Sequence, residues 1–516
     1  MKAMSPTTSS YSVVALEGGH ATNTIPEDIP GTRLLVDENI THLVYLPRPS
    51  KSPNDPLNWG RMRKYTSMFI VCFWVMLLGG ATLSPAVTYG PLIHEMDVTV
   101  NFLNIAAALA LLLLGLGNLV FNPLALRFGR RPVYLASALI SMAASIIAAS
   151  SKSKGAYMAA RVLLGFGAAP FEQLPALTID DQFFIHRRGF GLSLYTCALN
   201  LGSFLGPVAS GFVTDTMGWR WVHWWYAIFL GLAAVLIFLF LEETGFDRHL
   251  HNTGPNIETD VHASEQSKTY FQRINLFTSL DNPLGFFSLV LGPFKMLREP
   301  IVWWCGIIYG FAVAWLTIMA YEASTVFATY GFSPAAIGLA NIAPLVGACL
   351  SLYVGGAGTD HFMVWKARRN NGVMEAESRI YSVLIAGPIM CSGLILYGVG
   401  AAHHLHWMGP VVGMAMIGSA LPISAEVTLG YASESYPSLA GEATTALVCI
   451  RNVIGAGMTF GIGPWIERSG LQNTFVTVGV LAFVVFYTGI FFIWKGKTCR
   501  RMGAKRYYQM LRGNSN

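Results

Sequence analysis

Apolar runs of close to twenty residues recur along this chain, separated by short polar or glycine- and proline-rich breaks. An α-helix of about twenty residues rises about 30 Å, the thickness of a bilayer's hydrocarbon core, so each run predicts a transmembrane helix. The runs fall at 66–88, 101–123, 133–150, 157–178, 190–214 and 220–241, then at 301–327, 335–354, 379–400, 407–432, 442–464 and 472–494. We number them spans 1 to 12. Helices are the default because a segment in lipid must satisfy its own backbone polar groups. The predicted fold class is all-α integral membrane: twelve transmembrane helices in two pseudo-symmetric six-helix halves, 66–241 and 301–494. Residues 1–65 are polar and aperiodic and are predicted to be a disordered cytoplasmic region. The stretch 242–300 reads as a cytoplasmic linker and 495–516 as a basic cytoplasmic tail.

Equal halves suggest an internal repeat, a common plan in secondary transporters. A loose echo supports it: NPLALRFGRRPVYL (122–135) follows span 2, and GGAGTDHFMVWKARR (355–369) follows span 8.

Composition sharpens the class. Of 516 residues, 53% are hydrophobic and 12% charged, against about 25% charged in a soluble domain. Mean hydropathy is +0.48. Twenty-four Lys and Arg flank one end of the spans and four the other, which predicts both termini inside the cytoplasm. That asymmetry accounts for the net charge of +6 without a nucleic-acid partner. No signal peptide is visible, and the sequon at Asn39 is predicted to stay unglycosylated on the cytoplasmic side. Six of seven cysteines fall within spans, so no disulfide framework is implied. His403, His404 and His406 share a short loop with no acid or cysteine beside them, so no metal site is predicted.

Span 5 contains LNLGSFLGPVASGF (199–212). Gly202, Gly206 and Ser210 recur at i+4 and form a smooth stripe through which two helix backbones can approach. Pro207 removes one backbone donor and can bend the helix. Together with Gly211 the stripe reads as a packing seam with a hinge in it.

At these residues the chain resembles the major facilitator superfamily, and within it the fungal branch of the twelve-span drug:proton antiporters. GSFLGPVASG (202–211) is similar to that family's antiporter motif, with Ser210 where Gly is usual. LRFGRRPVYL (126–135) resembles the loop signature after span 2, and RVLLGFGAA (161–169) the Arg-plus-glycine motif of span 4. DPLNWGRMRK (55–64), FFIHRRG (183–189), GWRW (218–221) and ARRNNG (367–372) add to the resemblance, which covers about residues 55–500. The loop signature normally opens with Gly and carries an Asp; here those positions hold Asn122 and Leu126. The resemblance implies intracellular latches from Arg127, Gly129, Arg130 and Arg131 in one half and Asp360, Arg368 and Arg369 in the other, with an incomplete charge relay in the first half.

Charges at membrane depth are functional candidates by default, because each costs several kcal/mol to insert. Arg161 and Glu172 in span 4 are eleven residues apart, hence on one helical face and about 16 Å apart along it. Glu172 is the leading proton-coupling or substrate-binding residue, because a desolvated carboxylate holds a proton more readily than one in water. Glu426 in span 10 is read as its counterpart in the second half. Glu322 lies in the outer part of span 7, where it could reach interfacial water. Arg451 in span 11 falls near the level of Asn200 in span 5.

The expected function is a proton-coupled secondary transporter exporting a small, mainly apolar organic compound by alternating access. Uptake of a polyamine, sugar acid or similar solute is the nearest rival, and a non-transporting sensor the next. No enzymatic motif is present. Expected partners are the substrate, protons and membrane lipids. The chain is expected to act as a monomer, without cofactor beyond the proton gradient, in the plasma membrane, with the vacuolar membrane as alternative.

Overall fold

The computed structural model describes residue 30 and residues 32–34, 52–246, 270–273, 286–370 and 373–513. Among the described residues, eleven helical segments are long and apolar enough to cross a membrane. The last, Ala440–Met510, has 71 residues, more than three times what one crossing needs. It is not continuous. Gly470 adopts φ 76° and ψ 159° behind Pro464, and a second break falls at Thr488, between helices Ala440–Tyr487 and Gly489–Gly513. The break at Gly470 lies between the predicted spans 11 and 12.

Sequence signals set the helix ends. Thr99, Ser153 and Ser333 each accept a hydrogen bond from the backbone N–H three residues on, capping spans 2 (Val100–Phe128), 4 (from Lys154) and 8 (from Pro334). Gly129, at φ 100°, lets span 3 (Arg130–Ser150) follow span 2 with no intervening loop. A side chain there would be strained and would collide with the Glu243 carboxylate.

The helices pair in the same way in both halves. Span 1 (Arg61–Leu83) packs on span 5 (Ile185–Met217), span 2 on span 4, and span 3 on span 6 (Trp219–Phe240). In the second half span 7 (Pro300–Ala328) packs on span 11, where Gly306 and Gly310 lie against Ile450, Arg451 and Ile454. Span 8 packs on span 10 (Met408–Ser435), and span 9 (Ala376–Ala402) on span 12, through Gly387 against Phe486 and Gly398 against Phe475. Each half has its own apolar core.

The stripe of span 5 is one of these seams. Any side chain at Gly202 would run into the Met76 carbonyl, and a Cβ at Gly206 would lie 2.7 Å from Gly80 Cα. Helix Ile185–Met217 continues unbroken through Pro207. Gly211 faces across to the other half, against Pro334.

The halves touch unevenly. Spans 2 and 11 lie side by side along their length, from Asn101 beside Gly463, through Gly115 beside Asn452, to Asn122 beside Thr445. Among the described residues, spans 5 and 8 meet mainly at the end away from the basic loops, where Gly338 packs on the Pro207 and Val208 carbonyls and Asp215 accepts from Ala335 N at 3.1 Å. Toward the basic end they part, and Phe190, Leu194, Leu350 and Tyr353 are exposed.

Several expectations need correction. Residues 1–65 are not wholly without structure: Asp55 caps a turn over Pro56–Asn58, the span 1 helix starts at Arg61, and Arg63 pairs with Glu242. Strand Thr32–Leu34 pairs antiparallel with Val373–Glu375 of the loop before span 9. The sequon at Asn39 lies outside the described residues. The stretch 242–300 contains helix Phe286–Met296, lying against spans 2 and 11. The tail is helical and docked: Arg500, fully buried, pairs with Glu377 at 2.5 Å and donates to Pro30 O at 2.7 Å, and Lys497 pairs with Glu375 at 2.7 Å.

Replacing Gly202 by Val should destabilise the protein by about 1–3 kcal/mol or more through overpacking. Gly455→Ala, where a Cβ meets nothing within 4 Å, should stay within about 0.5 kcal/mol. Thermal unfolding of both variants in detergent checks this, and equal losses would refute the close-approach account.

Candidate functional site

Span 4 is not one regular helix. It runs as Lys154–Ala168, tightens to a 3₁₀ turn over Ala169–Phe171, and restarts at Leu174 with Pro175 in its first turn. Pro170 and Pro175, each without a backbone donor, account for the break. Glu172 and Gln173 lie in it. Tyr195 of span 5 donates its hydroxyl to the Glu172 carbonyl at 2.8 Å, occupying an acceptor the broken helix leaves open.

The Glu172 carboxylate reaches the second half, where Arg451 Nη2 of span 11 lies 2.5 Å from Oε2. Arg451 is held firmly. Its guanidinium stacks 4.7 Å from the Tyr309 ring of span 7, and Nη2 and Nε donate to Asn452 Oδ1 at 2.9 and 3.3 Å. Asn452 fits because span 2 has Gly115 opposite, where a Cβ would lie 2.6 Å from Asn452 Cβ. The two side chains differ in access: Glu172 is 17% exposed and Arg451 2%. The acid is therefore the partner that a solute or a proton can reach. Beside the pair, Asn122 Nδ2 donates to Thr445 Oγ1 at 2.8 Å, and the same hydroxyl lies 3.1 Å from Gln173 Oε1.

A second polar cluster joins the halves nearer the end away from the basic loops. Arg161, 3% exposed, donates to Tyr321 Oη at 3.1 Å and Thr82 O at 3.3 Å. Tyr321 donates to Thr82 O at 3.1 Å, and Tyr89 stacks on it at 5.5 Å. Next to it Glu322 accepts from Asn104 Nδ2 at 3.0 Å. Glu322 is 5% exposed, covered by the Asn104 amide of span 2, which removes the alternative that it simply reaches interfacial water. No ion pair joins Arg161 to Glu322 among the described residues.

Other sequence candidates lie apart. Glu426 does not mirror Glu172. Its carboxylate lies against Gly355 and Gly356, in a π-helical turn of span 8 at Tyr353–Gly358, because span 10 packs on span 8 there. Asn200 is half-buried on span 5 and makes no hydrogen bond to Arg451 among the described residues.

The first-half loop finds acid partners despite the missing loop Asp, all within its own half. Arg130 Nε lies 3.0 Å from Asp181 at the end of span 4, and Glu243 accepts from the backbone N–H groups of Arg130 and Arg131 at 2.8 and 3.0 Å. An acid capping the N-terminus of span 3 is favourable with the helix dipole. Acids from span 4 and from beyond span 6 thus stand in for the missing loop Asp, and Arg127 stacks on Phe128 instead of latching. In the second half Arg379 makes the equivalent ion pairs, to Glu434 at 2.6 Å and Asp360 at 3.6 Å. Arg368 is exposed and Arg369 stacks on Trp365 at 4.0 Å.

Gln173 is marked in the sequence by standing beside Glu172, whereas Tyr309, Asn452 and Thr445 as neighbours of the charge pair, and Glu243 and Arg379 as loop partners, are not. Span 4's two prolines signalled the break; nothing in the sequence signalled the partners.

The sequence profile described as Major Facilitator Superfamily matches residues 69–460. An uncharacterised MFS-type transporter of Schizosaccharomyces pombe is 28% identical, with 94% of this chain and 95% of that protein covered. The protein called efflux pump radE, from Floropilus chiversii, is 26% identical, covering 85% of this chain and 82% of its own. Among solved structures, a D-xylose–proton symporter aligns with a TM-score of 0.60 at 16% identity, covering 84% of this chain and 97% of its own.

Arg451→Met should destabilise the protein by about 3–5 kcal/mol, because it strands the Glu172 carboxylate. Glu172→Leu combined with Arg451→Met should cost less than the sum of the two single changes. Denaturant unfolding of all three variants checks this; strict additivity would mean that the pair is not coupled.

Proposed function

The chain belongs to the major facilitator superfamily and is a membrane transporter, and we propose that it exchanges protons for a small, mainly apolar organic compound, exporting it. The observation that carries this reading is the Glu172–Arg451 pair, which bridges the two halves at 2.5 Å with its acid side partly open. Protonating Glu172 removes the charge that Arg451 holds and frees the halves to move. A ligand that competes for either partner does the same, so proton and solute each bias one two-state element.

In this reading the break at Gly470 makes the spans twelve, and the basic end faces the cytoplasm. The separation of spans 5 and 8 at that end makes this an inward-facing state. Solute enters there, between Tyr309, Tyr195 and the charge pair, and leaves after the contacts around Tyr321, Arg161 and Asp215 open. Export is favoured over uptake by the similarity to a protein named an efflux pump and by the antiporter-like seam of span 5. The plasma membrane is the location that fits this role. No cofactor is required, and the proton gradient drives the cycle.

The test is substrate-triggered proton flux in proteoliposomes under an imposed pH gradient, for wild type and Glu172→Gln, across a panel of apolar compounds. Wild type is expected to exchange protons for at least one compound. The variant should lose at least tenfold of the coupled rate, which corresponds to about 1.4 kcal/mol or more in the driving step. Transport without proton movement in wild type overturns the antiport reading; an unchanged variant overturns the assignment of Glu172. Accumulation of solute by cells expressing the protein would instead select uptake.

A further inference from the structure

The charge pair is not the only bridge between spans 4 and 11. Gln173 follows Glu172, and Thr445 precedes Arg451 by six residues, so the same two helices carry a second link nearer the basic end. Thr445 is fully buried. Its hydroxyl accepts from Asn122 Nδ2 of span 2 at 2.8 Å and lies 3.1 Å from the Gln173 amide oxygen and 2.7 Å from the Gly441 carbonyl of its own helix. One hydroxyl has one proton and two lone pairs. The shorter contact takes the proton, so the hydroxyl donates to Gly441. A half-turn of the Gln173 amide then presents its NH₂ to the second lone pair, and an amide's two ends are close enough in shape for either placement. Both side-chain amides of the first half then grip a single hydroxyl of the second.

The remaining atoms of the two amides share a place. Asn122 Oδ1 and the outward atom of Gln173 are buried with no protein partner. Both side chains line a cavity of about 10 Å³ together with Asn118, Phe121, Pro170 and Leu174. That is the space of about one water molecule, and two polar neighbours are what a buried water needs.

Two features give this cluster a role separate from that of the charge pair. It carries no charge, so neither proton uptake by Glu172 nor the membrane potential acts on it directly. It also depends on Asn122, which stands where the loop signature this region resembles has glycine; glycine there could make no such bond. We propose that Asn122, Gln173 and Thr445 form an uncharged clasp that limits how far the basic end opens and holds the halves in register after the Glu172–Arg451 pair has dissolved. The inference rests on the alternating-access reading above and adds a second, pH-independent hold to it. The charged bridge supplies the switch, and the neutral one sets the rest position to which the halves return.

The test measures separation of the halves at the basic end. The full-length chain is reconstituted in lipid nanodiscs with spin labels at Phe190→Cys in span 5 and Tyr353→Cys in span 8, both exposed. The exposed native Cys197 and Cys349 are replaced by Ser. Distance distributions are recorded by double electron–electron resonance at about pH 5.5 and about pH 8, either side of neutrality. Thr445→Val keeps the shape and removes the hydroxyl; it should raise the ratio of long to short separations about tenfold, as expected for losing two ordinary hydrogen bonds. The rise should appear at both pH values. Thr445→Ser, which keeps the hydroxyl, should match wild type, and Asn122→Gly should shift in the same direction as Val by a smaller factor. Coincidence of Val and Ser at both pH values overturns the clasp, as does a Val effect confined to one pH. Glu172→Gln on the labelled background keeps the two readings apart. It should abolish the pH dependence of the distribution; if that dependence survives, the role of Glu172 fails while the Val–Ser comparison still decides the clasp.

Discussion

A charge inside a bilayer must find its partner inside the protein, and the Glu172–Arg451 pair is where this chain meets that requirement across its two halves. In a hydrocarbon surrounding either group alone costs several kcal/mol, so the pair ties the halves together for as long as both stay charged. Arg451 is anchored by Tyr309 and Asn452 and cannot follow Glu172 if the first half moves. The kink at Pro170 and Pro175 is what aims Glu172 out of its helix toward that fixed cation. A regular span 4 would place the carboxylate on the helix's own surface. The chemistry of the site thus depends on a local backbone defect, and the defect on two residues that lack an N–H.

The rest of the architecture keeps the halves separable. Lipid offers no hydrophobic drive for helices to associate, so each half coheres through close approach of small residues. Gly202 and Gly206 against span 1, and Gly306 and Gly310 against span 11, are equivalent seams within the two halves. Between the halves glycine contacts recur, at Gly338 on the Pro207 carbonyl and at Gly115 on Asn452, and polar contacts join them: the Asn122 amide on the Thr445 hydroxyl, an arginine on a tyrosine, an aspartate on a backbone N–H. Seams of glycine slide little because the backbones interlock. Polar contacts can be exchanged for water or solute at modest net cost.

Much of the fold was legible because its cause is local. Runs of apolar residues near membrane length mark the helices, and Thr99, Ser153, Gly129 and Gly218 mark ends that the chain honours. Span 5's stripe reads as a seam from its i+4 spacing, and it is one. The site was legible only in its most expensive members. Arg161, Glu172, Glu322 and Arg451 stand out because charge at that depth is rare. Their partners do not: a tyrosine, a threonine or an asparagine in an apolar run is ordinary until folding brings it near a charge. For Glu322 the candidate was legible and its cover was not. Its exposure depends on Asn104, which lies 218 residues away in the chain. Matching Glu426 to Glu172 failed because the repeat conserves helix packing, and packing places Glu426 against the glycines of span 8.

Where the repeat does persist chemically, similarity of sequence does not reveal it. In the first half Arg130, opening span 3, pairs with Asp181, which closes span 4. In the second, Arg379 at the start of span 9 pairs with Glu434 at the close of span 10. These are equivalent positions in the two halves, yet no aligned motif links them: one arginine sits in a GRR loop, the other ten residues beyond an ARR run. The common cause is geometric. Two adjacent spans whose ends at one membrane face lie side by side expose the first N–H groups of one and the last carbonyls of the other. An arginine and an acid bridging those ends satisfy both charges at the interface, where water lowers the cost of each. The same constraint lets Glu243 replace the absent loop aspartate, because any carboxylate that reaches the first turn of span 3 meets its unpaired N–H groups. An incomplete motif here means a relocated acid, and the contacts it makes with the start of span 3 are intact.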